Sequence, residues 1–453
     1  MKPISKFVTF FGISAVSQLM LVGLFNLGFL SEPVQRLQGQ AIMLDEGQVV
    51  FAQFVTHFPP LPYFLTSAFS FVLGGNDAIG VIAATSVIYA GIFVYLFGRI
   101  GWFSLFVMLN PLLFRALIAG PEEMMLFGAV ILASAGLSSA CRRNEHDLVA
   151  SDMINLALGF LGLFLSHTEG LTLIMALIPV VILCLPAELV IWSNTALYAM
   201  VLAPLVFVAA GFLYIGHVFG SPVFDLTFVQ PHWPVPAFYI LAPLMAGPVL
   251  FVSRSVSGFG RSGLALAFGT VIFAAIHLFI SADFLRTGLM ALGVSVGILS
   301  TNRILLSPVR PMLLAGFAGA LILCAYDEFC LKVIRATILN EAKICVLCES
   351  GFAAGQFLGP VPGILVDAGA HPEFVAGHGS VEGLVDVGTE VKQKTGLLSD
   401  PDTDYVVVSA HSDAKSDSLS TLFPDLYLKG AAGYRLIYDI GGWRIYQKMT
   451  QYI

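Results

Sequence analysis

The chain has 453 residues, 57% hydrophobic and 11% charged, whereas a soluble globule carries about 25% charged residues, so an ordinary soluble domain is excluded. The formal net charge is −7 and no Lys/Arg-rich block is present, which removes the electrostatic basis for nucleic-acid binding. Repeated apolar runs of roughly 17 to 25 residues fit helices crossing a hydrocarbon core about 30 Å thick, without the alternation of an outer-membrane barrel; they predict a polytopic all-α membrane protein.

"MKPISK" leads into an apolar run over residues 7–30, too long for a signal peptide and followed by no A-x-A-like cleavage site; a retained first helix is expected. The stretch "GQAIMLDEGQVVFAQFVTHFPPLPYFLTSAFSFVLG" follows, with Asp45 and Glu46 adjacent. After its Pro-Pro pair the apolar run is about 14 residues, short for a crossing, and reads as a juxtamembrane helix. Further spans are predicted near 79–98, 101–118, 122–140, 152–166, 170–185, 196–216, 236–252, 263–281, 285–301 and 311–330. With the first, that makes about eleven transmembrane helices. If the juxtamembrane helix does not cross, Lys2, Lys6, Arg99, Arg142, Arg143, Arg254, Arg261, Arg303 and Arg310 share one side, as the positive-inside rule requires. Asp45, Glu46, His57, Glu122, Glu123, His167, Glu169, His217, Asp225, His232, Asp283 and Arg286 then lie near the outer face.

From about residue 331 the composition becomes ordinary, and apolar runs ("KICVLC", "GILVDAG", "DYVVVSAH", "YRLIYDIGGWRIYQ") alternate with Gly/Pro-rich turns and a helix expected around "VEGLVDVGTEVKQKTGLL". This predicts two domains: 1–330 in the membrane and 331–453 as a small α/β extracytoplasmic domain. The six cysteines form no zinc framework, and "CVLC" read as a strand points its two thiols to opposite faces, beyond disulfide reach. His371, His378, His411 and Asp413 lie in Gly/Ser-rich settings and read as solvated loop residues.

"LDEGQVVFAQFVTHFPPLPYFLTSAFSFVLG" resembles the first outer loop of the GT-C glycosyltransferases, polytopic enzymes that use polyprenyl-phosphate sugars. The order of elements over roughly residues 1–250 is similar as well: a first helix, an Asp-Glu-type motif, a Pro-Pro-Leu juxtamembrane helix, and a second acidic motif outside after the third crossing. "GPEEMMLF" occupies that last place, with Glu122-Glu123 where related enzymes often show Asp. A C-terminal outer domain is also common in that superfamily. The resemblance implies a GT-C-like helical bundle in a bacterial inner (plasma) membrane. It also implies sugar transfer on the extracytoplasmic side to an envelope glycan, glycolipid or protein.

The chemistry suits these groups. An acceptor hydroxyl attacking an anomeric carbon needs a base within about 3 Å, and Asp45 is the expected base with Glu46 orienting. Lipid phosphate is already a good leaving group, so one direct displacement with inversion is expected. Positive charge must meet the leaving phosphate; Arg286 is placed best, with Arg115 and Arg36 behind it, and the alternative for Arg286 is an interfacial arginine reaching head groups. Glu122 and Glu123 follow Pro121 at a helix start, where capping alone accounts for carboxylates; the sharper reading is acceptor orientation or ligation of a divalent cation (Mg, Mn or Ca). His57, His167, Glu169 and His232 are further outer-face binding candidates, beside Asp225 and the sugar-stacking candidate Trp233. Two other classes compete: a transporter or flippase of lipid-linked saccharides, and a noncatalytic envelope-assembly subunit. The tail, lacking a catalytic cluster of its own by this reading, is expected to handle the acceptor.

Overall fold

The computed structural model describes residues 3–26, 32–46, 60–75, 77–142, 150–166, 284–301, 351–386, 403–410 and 417–449, with isolated helical positions between 174 and 214. The described part is mostly helical with one small sheet. Two compact units divide the chain: Met1–Met20, Phe51–Phe64 and Ala83–Ile334 form one, and Leu21–Val50, Leu65–Ile82 and Arg335–Ile453 the other.

The first helix, α1 (Pro3–Asn26), carries no charge after Lys6 and leaves Ile4, Phe7, Val8, Phe11, Val16 and Leu19 exposed. A helix of that length spans about 36 Å, enough for a bilayer core. Next come α2 (Glu32–Asp45) and α3 (Pro60–Val72). At about 20 Å, α3 is too short to cross. A tight turn joins α3 to α4 (Asp77–Ile100), closed by Gly75 N–H donating to the Ser70 carbonyl at 2.9 Å and Ser70 Oγ donating to Asp77 Oδ1 at 2.7 Å. Asp77 in the first turn and Arg99 in the last both complement the helix dipole.

The crossing expected at 101–118 is not one helix. A 3-10 turn (Gly101–Phe103) and α5 (Ser104–Met108) are followed by a break, then α6 (Pro111–Ala119). The break has a local cause: Asn110 is extended, its side chain accepts from Leu112 N–H at 2.9 Å, and Pro111 occupies the first helical position. α7 (Pro121–Arg142), α8 (Ala150–Ser166) and α9 (Phe284–Thr301) follow. These three pack through small residues, as membrane helices do where no solvent drives them together. A Cβ on Gly159 of α8 would lie 2.3 Å from the Ala133 nitrogen, and one on Gly297 of α9 would lie 2.7 Å from Ser134 Cβ. Ser138 and Thr301 hydroxyls share a hydrogen bond at 2.8 Å between α7 and α9.

Two described helical stretches, Ile4–Asn26 and Asp77–Met108, are long and apolar enough to cross a membrane; Ile154–Ser166 and Gly288–Thr301 are shorter apolar helices. The spans expected at 170–185, 196–216, 236–252, 263–281 and 311–330 lie outside the described residues except at isolated positions.

In the second unit, α10 (Gly351–Leu358), β1 (Ile364–Val366), α11 (Pro372–His378), β2 (Leu384–Asp386), β3 (Tyr405–Ser409), α12 (Ser418–Leu422), α13 (Leu426–Lys429), β4 (Tyr434–Ile440) and β5 (Trp443–Lys448) build an α/β fold. The strand order is β2-β1-β3-β5-β4; β1 runs parallel to β2 and β3, and β5 is antiparallel to β3 and β4. Period-two alternation sorts the core. Ile364, Val366, Val407 and Ile445 face one side, with Ala354 of α10 and Phe374 of α11. Leu365, Val406 and Val408 face the other, with Leu419 of α12 and Leu426 of α13. Covered on both faces, β3 reads in sequence as the unbroken run "YVVVS". The β4–β5 turn is Gly441-Gly442 with φ of 60° and 79°, the pair of left-handed residues that a two-residue hairpin demands. The helix expected at "VEGLVDVGTEVKQKTGLL" is corrected at its start: residues 384–386 are strand β2, paired in parallel with β1, while 387–398 lie outside the described residues.

Candidate functional site

The sequence of α2, "EPVQRLQGQAIMLD", places Val34, Leu37, Ala41, Ile42 and Met43 in buried positions around a single glycine. Ile42 and Met43 join Ala368, Val375 and Val381 in one apolar cluster, so α2 lies directly on α11. At Gly39 the approach is extreme: a Cβ there would sit 1.7 Å from the Pro372 carbonyl oxygen, and only glycine admits the contact.

Polar contacts flank that apolar seam. Toward one end of α2, Arg36 Nε lies 3.7 Å from Glu373 Oε2. Just past the other end, Glu46 Oε2 accepts from Ser380 Oγ at 3.0 Å and from Val381 N–H at 2.8 Å. Those donors follow the end of α11, where Gly379 turns left-handed and His378 Nδ1 donates to the Ser380 carbonyl at 2.7 Å.

At the start of α11, His371 Nδ1 is 3.3 Å from Glu373 Oε1 and Nε2 is 3.4 Å from Asp417 Oδ2. The ring meets Trp443 edge to face at 4.9 Å. Asp417 in turn caps α12: its Oδ1 accepts from Leu419 N–H at 2.9 Å and its Oδ2 from Ser420 Oγ at 2.5 Å. Burial alone would lower the His371 pKa, but hydrogen bonds to Asp417 and Glu373 and the charges of both carboxylates outweigh it, raising it from 6.5 to about 9. Burial likewise pushes Glu373 up, and the bond to His371 with the charges of Arg36 and His371 reverses this and holds it low. Asp417 is held low against burial by hydrogen bonds to His371 and Ser420 and by the His371 charge.

At neutral pH His371 is therefore an imidazolium, with Nδ1 bonded to Glu373 and Nε2 at ion-pair distance from Asp417, and it has no lone pair with which to act as a general base. The Arg36–Glu373–His371–Asp417 chain is a structural relay of alternating charge. This corrects the expectation that His371 and His378 are solvated: the His371 side chain is 13% exposed and His378 6%. The local signals were present in "HPEF", a proline and acid opening a helix, and in "DSLS", an aspartate cap. Their partnership across 46 positions, and that with Arg36, has no local signal.

Of the residues selected from sequence, Asp45 is the last residue of α2 and Glu46 the next, bound to the tail as above. Glu122 and Glu123 occupy the first turn of α7 after Pro121, the former half-buried and the latter buried. Arg286 is in the first turn of α9, and Arg115 lies half-buried on α6. Arg36 faces Glu373. His57, His167, Glu169, His232, His411, Asp413, Asp225 and Trp233 lie outside the described residues. Among the described residues no group of three His, Cys, Asp or Glu side chains is placed to hold a metal ion. No protein-family model matches the chain, and no curated protein matches it.

Proposed function

We propose that the chain is a GT-C-type membrane glycosyltransferase, transferring a sugar with inversion from a polyprenyl-phosphate donor to an envelope glycan, glycolipid or protein acceptor on the extracytoplasmic side of a bacterial inner membrane. The reading rests on one observation above the others: an acidic pair, Asp45 closing α2 and Glu46 following it, between the apolar α1 and the short α3 in the chain. Helix stability does not account for Asp45. A carboxylate at a helix C-terminus faces the negative end of the dipole and costs about 0.3–1 kcal/mol, whereas Glu122 and Glu123 sit at an N-terminus where the same term favours them. An acid kept at such a cost beside a membrane segment suits a base for the acceptor hydroxyl.

In this reading Glu122 and Glu123 orient the acceptor or hold a divalent cation, and Arg286 meets the lipid phosphate. His57, His167, Glu169 and His232 complete the outer-face polar set, and about eleven crossings enclose the prenyl chain. The test is turnover of a polyprenyl-phosphate sugar by the purified full chain in nanodiscs. Asp45→Asn is expected to lower kcat by about 10² to 10⁴ while the protein stays folded and binds donor. Near-normal turnover in that variant rules out the base. Movement of intact lipid-linked saccharide across a vesicle, with no sugar transferred, favours the transporter instead.

A further inference from the structure

Asp45 ends α2, and the next residue, Glu46, is bonded to the tail. The seating of α2 on the tail holds that end of the helix. Three contacts recur along one side of the helix: Arg36 to Glu373, Gly39 to the Pro372 carbonyl, and Glu46 to Ser380 and Val381. Positions 36, 39 and 46 fall close to the 3.6-residue period of one helical face, and Ile42 and Met43 fill the apolar seam between them. The Glu46 carboxylate contributes its bonds one residue from Asp45, about 3.8 Å away along the backbone.

We propose that Glu46 and Gly39 are positioning residues, which dock α2 on the tail helix α11 and so fix the Asp45 backbone for sugar transfer; the transfer half of this rests on the glycosyltransferase reading above. The tail then acts on the reaction by holding the base-bearing helix, in addition to any contact with the acceptor. Glu46 works through its acceptor oxygen and not through charge at the reacting centre. An amide oxygen in the same place accepts the same two hydrogen bonds.

The experiment pairs a readout that needs no activity with one that does, both on the full chain in nanodiscs. Hydrogen exchange is followed at the Val381 amide and along residues 40–46, and kcat and KM are measured with a polyprenyl-phosphate sugar. Glu46→Ala is expected to speed exchange at Val381 about tenfold, the loss of one charge-assisted hydrogen bond. It also lowers kcat with donor KM unchanged. Glu46→Gln restores most of both. Gly39→Ala, whose added carbon cannot coexist with the Pro372 carbonyl, gives the same pair of effects from the middle of the helix. Unchanged exchange in both Glu46→Ala and Gly39→Ala overturns the docking. Faster exchange with unchanged kcat overturns the positioning role, and so does Glu46→Gln as inactive as Glu46→Ala, which would place charge in the reaction itself. A wild-type chain that transfers no sugar while exchange responds as stated overturns the glycosyltransferase reading and the transfer half with it, and supports the docking alone.

Discussion

His371 supplies the most quantitative prediction. Its pKa rises from 6.5 to about 9 on folding, which at 1.36 kcal/mol per pKa unit corresponds to about 3 kcal/mol of stability in the protonated form. A raised folded pKa means that the native state holds the proton more tightly than the unfolded chain. The contribution is therefore complete below about pH 6.5 and is lost as pH rises through about 9. For Glu373 and Asp417 the sign reverses: both are held low, so their contribution is present above the ordinary carboxylate range and is lost as pH falls through their lowered folded values. His371→Gln removes the titrating group and leaves Glu373 and Asp417 facing an amide. Urea unfolding of the full chain in detergent, read by pulse proteolysis of a C-terminal tag, gives tail stability at each pH. The wild type is expected to lose about 3 kcal/mol more than His371→Gln across pH 6 to 9.5. Parallel curves for the two proteins over that window would refute the charged relay.

Gly442→Val forces a β-branched residue into a left-handed turn position with φ of 79°, and is expected to cost about 1–3 kcal/mol of tail stability in the same assay, with Gly442→Asn costing less. The one-sided Lys/Arg pattern predicts that residues 39–74 and the tail lie outside: alkaline phosphatase fused after residue 75 should be active, and fusions after 99 and 143 inactive, the opposite pattern reversing the assignment.

Where local chemistry decides structure, the sequence was readable. The short apolar runs in "GILVDAG", "DYVVVSAH" and "YRLIYDIGGWRIYQ", set between Gly/Pro-rich turns, marked β1, β3 and the β4–β5 segment, because run length and turn residues are properties of a few neighbouring positions. The run 101–118 misled because apolarity masks a break: Asn110-Pro111 is a helix start, and hydropathy averaged over the window does not register it. "VEGLVDV" misled for a different reason, since its three strand residues owe their conformation to parallel pairing with β1, a partner about 20 positions away. The second acid of the motif was found, but not its partners in the tail, which lie 334 and 335 residues on. Composition separates the tail from the helices and cannot register an ion pair between Arg36 and Glu373, because neither residue is unusual where it stands.

The seating of α2 also changes what a tail deletion can teach. Cutting after residue 331 is the natural way to ask whether the tail handles the acceptor. That cut removes Val375 and Val381, against which Ile42 and Met43 are buried, and every partner of Glu46 described above. Each large apolar side chain returned to water forfeits about 1.5–3 kcal/mol, and a free helix of 14 residues is marginal in water even with a favourable composition. Gly39 stands in the middle of α2 and costs about 1 kcal/mol relative to alanine, so the composition of α2 is not favourable. Loss of transfer in the truncated chain would thus follow equally from a missing acceptor site and from a melted α2. Single substitutions separate the two, because Glu46→Ala loosens the helix end while leaving the tail sheet and its surface in place, and an acceptor-binding role predicts a raised acceptor KM where a positioning role predicts a lowered kcat.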